Sequence, residues 1–433
     1  MKQVYSMLIA FSLVFLISGC TSEESDNPSE EKGEVYITAG LKARPLTDVK
    51  FESTPERIAR GKYLAEGASH CFLCHSVRDW SKPGAPPVES MKGAGSIMIS
   101  EEGFMLAAPN ITPDVETGAG TWTDDMFARA IREGVGHDGR PLFPLMRYEA
   151  FRNFTDEDIA SVVVYLRTLP PVKNKLPKRK LPVPVQKMIV HIPVPVSKTA
   201  PEPDFSNALE RGKYLVEVGD CAGCHTSWDT PLKPGFLGGG MHFEIPFDTA
   251  FSVNITPDKS GLFYDEDTFL SVIKTGKGGT LHSLMPWIAV RNYSDDDLRV
   301  IYQYLRTIKP VRHYIDNHSE PTYCKLCGQM HGLGNMNTEK EIKTADIKPA
   351  VYKEYSGTYS SGHGDSLTVF IDGDSLKLKD EFRGVTVKLL PVSSAEFASS
   401  DLPFNIRFSR NGSSQVSALS YHMFNDVVCG KVK

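Results

Sequence analysis

The chain has no apolar run long enough to cross a membrane. Its longest, Met7–Ile17, is broken by Ser12, whereas a spanning helix needs about 20 such residues. It also lacks an excess of either charge. With 48 basic and 53 acidic residues and a net charge of −5, it offers no global basic field for nucleic acid. Hydrophobic residues make up 41% and charged residues 23%, a balance that excludes bulk disorder. Cysteine is scarce, with eight in 433 residues, at 20, 71, 74, 221, 224, 324, 327 and 429. Six of these fall into three Cys-x-x-Cys pairs, one ends the N-terminal apolar run, and Cys429 stands alone. At about 150 residues per domain, the length predicts roughly three domains.

Lys2 and the short apolar run read as a secretory signal. The run ends Ile17-Ser18-Gly19-Cys20, which resembles the lipobox of bacterial lipoproteins. That resemblance implies a signal peptide over 1–19, acylation of Cys20 and an acidic tether over 20–49. The expected location is the bacterial cell envelope, outside the cytoplasm, facing the periplasm or at the cell surface. An ordinary signal peptide with an incidental cysteine is the competing reading.

The chain also repeats itself. Arg60-Gly-Lys-Tyr-Leu64 returns as Arg211-Gly-Lys-Tyr-Leu215, and Cys71-Phe-Leu-Cys-His75 as Cys221-Ala-Gly-Cys-His225. Asn110-Ile-Thr-Pro-Asp114 returns as Asn254-Ile-Thr-Pro-Asp258, and Tyr165-Leu-Arg-Thr as Tyr304-Leu-Arg-Thr. The offsets of 151, 150, 144 and 139 keep the order while loops vary. Two modules over 50–172 and 203–314 are expected, both helical. Thr54 with Pro55, and Asn207, are start signals for the opening helices; Thr155 and Ser294 precede acids that favour the dipole of the closing ones. Apolar residues at 159, 162, 163, 166 and at 298, 301, 302, 305 define one buried helix face in each. Residues 170–203 hold nine prolines and seven Lys/Arg. Such a segment is expected to be an extended strap, 173–202, without regular helix.

Cys-x-x-Cys-His is the attachment pattern of c-type haem. Simple frequency arithmetic gives about 0.004 such motifs by chance in a chain of this composition. Two are present at matching places. The expectation is two covalently bound haem c groups, tethered by Cys71 and Cys74 and by Cys221 and Cys224, with His75 and His225 as axial ligands. Met146 and Met285 occupy equivalent positions downstream and are the expected sixth ligands, since a thioether raises the potential and closes the iron. His137 is the chief competitor for the first iron.

These modules resemble the cytochrome c subunits that serve periplasmic alcohol, aldehyde and related dehydrogenases. The resemblance rests on Arg-Gly-x-Tyr-Leu, Cys-x-x-Cys-His, Asn-Ile-Thr-Pro-Asp, Gly139-Arg-Pro-Leu-Phe143 and Tyr-Leu-Arg-Thr, and covers about 50–315. It implies His75/Met146 and His225/Met285 coordination, a dehydrogenase or cytochrome as electron donor, and a cytochrome or oxidase as acceptor. Arg147 stands where that family usually has proline after the methionine.

Cys324-Lys-Leu-Cys327 has Gly328 in place of the haem histidine. In an oxidising compartment a local disulfide between Cys324 and Cys327 is expected. A Cys₂His₂-like metal site drawing on His313, His318 or His331 is the alternative, and 315–345 reads as a linker. From 346 onward the pattern alternates, with Leu367, Val369 and Ile371 on one face and hairpin turns at Asp372-Gly-Asp374 and Asn411-Gly412. The opening Tyr355-Ser-Gly-Thr-Tyr359 is similar to small β-barrel domains appended to β-lactamase-like serine hydrolases. The expected fold is therefore multidomain, two all-α cytochrome c modules followed by a small antiparallel β-barrel-like domain. Electron transfer without catalysis is the expected function, against a dihaem peroxidase-like enzyme or a membrane-anchored redox sensor.

Overall fold

A computed structural model describes residues 28–31, 34–196, 202–227, 234–245, 248–278, 281–282, 284–338, 344–360, 366–380, 385–399, 405–422 and 426–432. The signal segment and Cys20 lie outside them. The chain divides at Gly334/Asn335 into two compact units, so the segment read as a linker is split and its Cys-x-x-Cys part packs with the first unit. Among the described residues, no helix is long and apolar enough to cross a membrane.

In the first module, helices α1 (Pro55–Tyr63), α2 (Asp124–Glu133), α3 (Tyr148–Phe151) and α4 (Asp156–Arg167) follow in order. The strap contains α5 (Val183–Ile189). The second module has α6 (Ala208–Val218), α7 (Cys221–His225), α8 (Glu266–Thr275), α9 (Trp287–Val290) and α10 (Asp295–Leu305). Side-chain caps sit at the start of each long helix: Thr54, Thr123, Thr155, Asn207, Asp265 and Ser294. Each oxygen accepts an otherwise orphaned first-turn N–H.

The opening and closing helices cross at the repeated glycine. A Cβ on Gly61 would stand 1.9 Å from the Ser161 carbonyl oxygen, and one on Gly212 2.1 Å from that of Val300. Only glycine permits this approach. Beside each crossing the repeated arginine pairs with an acid of the closing helix, Arg60 with Asp158 at 2.7 Å and Arg211 with Asp297.

Four expectations are corrected. The modules are not purely helical, since each carries a two-stranded hairpin, Ser96–Glu101 with Phe104–Ala108 and His242–Ile245 with Asp248–Phe251. The strap does contain a helix, because Pro182 caps α5 and Pro184 sits in its first turn, where no N–H is needed. The second half of the 20–49 tether is packed: Arg44 bridges Asp125 at 2.6 Å and Glu133 at 2.7 Å on α2, and Tyr36 is buried beside Arg140 and Arg179. Finally, α4 is buried all round from Asp158 to Leu166 rather than along one face.

The last point follows from the docking of the modules, which share one hydrophobic core. The tyrosine of each repeated Arg-Gly-Lys-Tyr-Leu crosses to the other module. Tyr63 donates to Asp297 while accepting from the N-cap amide of Ser294 at 3.1 Å. Reciprocally, Tyr214 donates to Asp158 and accepts from the Thr155 amide at 3.4 Å. Burial pushes both phenols well above their usual range, so they remain protonated donors.

The second unit is a closed barrel of eight antiparallel strands in sequence order, Gly357–Ser360 pairing with both its successor and the last strand, Asp426–Lys431. Alternating Leu367, Val369, Leu376, Leu378, Val387 and Leu389 point inward, and Phe397 packs edge to face on both Tyr355 and Phe408 within the same core. Side chains fill a barrel of this size. Cys429, alone in the sequence, is buried in this core as a small apolar residue.

Candidate haem sites

The Cys-x-x-Cys-His segments begin on a left-handed residue at equivalent places, His70 (φ 40°) and Asp220 (φ 51°), and coil into a short turn. Each motif histidine is buried and anchored by its inner ring nitrogen. His75 Nδ1 donates to the Pro109 carbonyl at 2.8 Å, and His225 Nδ1 to that of Val253 at 2.7 Å. The acceptors immediately precede the two Asn-Ile-Thr-Pro-Asp copies. These copies are in turn tied to the chain after each closing helix, Asn110 Nδ2 donating to the Val172 carbonyl at 2.7 Å and Asn254 Nδ2 to that of Val311 at 2.6 Å. The asparagines thus do turn chemistry, each also accepting from its own Thr amide.

This anchoring keeps the proton on Nδ1, donated to the carbonyl, and leaves Nε2 as the lone-pair nitrogen, the tautomer an axial ligand requires. Burial holds both imidazoles below their usual range and hence neutral. Among the described residues none of the four motif cysteines is in a disulfide. Burial pushes Cys71 and Cys221 up to about 12 and Cys224 up to about 11, and raises Cys74 as well. They are neutral thiols, the form that adds to a porphyrin vinyl group. The residues therefore fit covalent haem.

The expected sixth ligands sit in equivalent loops. The aromatic two residues after each methionine packs on the left-handed glycine closing the middle helix, Tyr148 on Gly134 and Trp287 on Gly276. Met146 lies against the shared core and Met285 is half-buried. His137 stacks on Trp122 with ring centroids 4.4 Å apart, and His282 Nδ1 accepts from the Leu284 amide at 3.1 Å.

Arg147 adopts φ 58° and pairs with Asp220 of the other module at 2.5 Å. Proline is locked near −65° and cannot take this conformation, so the departure at 147 is a built contact. Arg147→Pro is expected to destabilise the chain by about 3 kcal/mol, through φ strain and loss of the cation that pairs with the mostly covered Asp220 carboxylate. Denaturant unfolding of the full chain measures it; a midpoint equal to the parent's would contradict the contact.

The two attachment segments meet at the module interface. Ser69 Oγ donates to the Val218 carbonyl at 3.2 Å, and Arg147 holds Asp220 just before Cys221. Sequence reasoning missed this meeting; the tyrosine repeated in both copies was its visible trace.

For the third pair, neither Cys324 nor Cys327 is in a disulfide among the described residues. Both face His313 and His331 in one buried group, whereas His318 is mostly exposed, beside Asp316.

Residues 58–170 match the model of the cytochrome c family, so the first module is a cytochrome c domain. Over a longer span the chain is similar to cytochrome subunits of dehydrogenases. It is 30% identical over 297 residues to the fructose dehydrogenase cytochrome subunit of Gluconobacter japonicus, covering 63% of this chain and 57% of that protein. It is 28% identical over 321 residues to the cytochrome c subunit of the quinone alcohol dehydrogenase of Gluconacetobacter polyoxogenes, covering 67% and 64%. A diheme cytochrome c-type protein of Cereibacter sphaeroides is 27% identical over 290 residues, covering 64% of this chain and 93% of that protein. The chain spans less than two thirds of the dehydrogenase subunits it matches.

Proposed function

We propose that the chain is a dihaem electron-transfer cytochrome, held at the envelope by a lipid on Cys20. It would relay electrons from a periplasmic dehydrogenase to a downstream cytochrome or oxidase, without catalysis of its own. The observation that carries this reading is the abutment of the two Cys-x-x-Cys-His segments inside one shared core. Haem c, when bound, supplies a one-electron iron couple of a potential tuned by its axial ligands.

The chain's own residues do the rest. Cys71 and Cys74 would tether the first haem, Cys221 and Cys224 the second. The carbonyls of Pro109 and Val253 fix the ring planes of His75 and His225 and hold the Nδ1 protons. Met146 and Met285 would fill the sixth positions and keep water and peroxide off the iron, which separates a relay from a peroxidase. The reciprocal Tyr63–Asp297 and Tyr214–Asp158 bonds hold the modules in one register. A relay gains from this because the spacing between its centres then does not vary from molecule to molecule.

Intact mass is expected to show two haems per chain, and a redox titration with optical and EPR detection two low-spin centres. Met285→Ala is expected to leave the second centre high-spin or water-bound with a lowered potential. A high-spin centre or peroxide turnover in the parent protein would overturn the relay reading, and an unchanged spectrum in the variant would overturn the ligand.

A further inference from the structure

We propose that His313, Cys324, Cys327 and His331 bind one zinc ion in a closed tetrahedral site. Their ligand atoms all lie within 4.8 Å of one another, with His313 Nε2 3.7 Å from Cys324 Sγ. A zinc tetrahedron with Zn–S of about 2.3 Å and Zn–N of about 2.0–2.1 Å places sulfur and nitrogen ligands roughly 3.5 Å apart. All four residues are buried, none more than 1% exposed.

The imidazoles are set for a metal. His313 Nδ1 donates to the Gly238 carbonyl at 2.8 Å and His331 Nδ1 to that of Gly332 at 2.9 Å. Each outer Nε2 is thereby left as a lone-pair nitrogen facing the sulfurs, the backbone-oriented arrangement that metal-bound histidines use. The Nε2 of His331 is buried with no hydrogen-bond partner. An orphaned acceptor at such depth is unfavourable in a folded protein, and a cation among these four atoms resolves it.

The local fold delivers the ligands. Strands Pro321–Tyr323 and Met330–Gly332 form a hairpin. Its turn carries both cysteines, closed by Gly328 N–H to the Cys324 carbonyl and Cys324 N–H to that of Gln329, each 2.8 Å. Gly328 takes φ 75°, a conformation that glycine adopts without strain. The hairpin thus supplies three ligands, and His313 arrives from the extended chain that follows α10.

With four protein ligands, all of them buried, the site is structural and not catalytic. It staples the hairpin to the second module. Gln329 Nε2 donates to the Gly240 carbonyl at 2.9 Å, and Asn317 brackets the Phe251 backbone at 2.7 and 2.9 Å. The same loop holds the axial histidine segment, Gly239 N–H donating to the His225 carbonyl at 2.8 Å.

The test is elemental analysis and zinc-edge X-ray absorption on the purified full-length, haem-loaded chain. Haem iron does not interfere at the zinc edge. One zinc per chain is expected, with two sulfur neighbours at about 2.3 Å and two nitrogens at about 2.0–2.1 Å. Cys324→Ser with Cys327→Ser is expected to lower zinc by at least about tenfold with haem per chain unchanged, and His318→Ala is expected to leave zinc unchanged. Zinc below about a tenth of an equivalent, a different metal in its place, or a shell of oxygen alone would overturn the assignment. Non-reduced peptide mapping then reads whether a Cys324–Cys327 disulfide stands there. Should the double variant not fold, the absorption spectrum of the parent decides.

Discussion

Gly61→Ala is expected to destabilise the chain by about 3 kcal/mol or more, the upper end of the range for overpacking. Its Cβ would stand 1.9 Å from the Ser161 carbonyl oxygen and 2.7 Å from the Tyr165 Cβ. Neither neighbour is the far end of a flexible side chain, so relief requires α1 and α4 to separate. That separation would also pull Arg60 from Asp158 and expose part of the shared core. Gly212→Ala should behave alike, because its Cβ meets Val300 backbone and the Tyr304 Cβ in the same way. Denaturant midpoints of the full chain, followed by far-ultraviolet circular dichroism, provide the measurement. A loss within about 0.5 kcal/mol, typical of a surface substitution, would mean that the helices do not cross at these glycines.

Asp158→Ala is the second large effect, expected to cost about 2–4 kcal/mol. Asp158 is buried and receives two donors, the Arg60 guanidinium from its own module and the Tyr214 hydroxyl from the other. Removing it leaves both without their acceptor. The cost falls short of a fully buried pair because the Arg60 side chain is 34% exposed and recovers some hydration. Glu157→Ala, one residue away, is the control. Its pair with Arg57 has the same 2.7 Å distance, but Glu157 is 55% exposed, so its loss is expected to stay below about 1 kcal/mol. Equal effects from the two substitutions would sink the claim that Asp158 joins the modules. A double-mutant cycle between Asp158→Ala and Tyr214→Phe isolates the cross-module part and should give a coupling clearly above zero.

Much of this organisation was legible in the sequence because it rests on local rules. Helix starts fell at Thr54, Thr155, Asn207 and Ser294, where a short polar side chain caps the first-turn amides. The C-terminal strands showed their alternation, since one face of a barrel is always inside. The duplicated motifs lined up the two Cys-x-x-Cys-His segments and the loops of Met146 and Met285. Three features were not legible, and two of them join residues distant in the chain. Burial of α4 on every side comes from the second module. The helix in the strap was hidden by prolines that happen to occupy its cap and first turn. Arg147 looked like a lapse from a family pattern until Asp220 stood opposite it.

The three Cys-x-x-Cys pairs mark the boundary between the two kinds of knowledge. For the first two, the adjacent histidine is written in the covalent order, so spacing alone pointed to haem attachment. For Cys324 and Cys327, the partners lie eleven residues upstream of the first cysteine and four downstream of the second, among three candidate histidines. Only the hairpin and the extended chain after α10 select His313 and His331 over His318. Local spacing is a property of the chain, whereas a coordination set is a property of where the chain returns to itself.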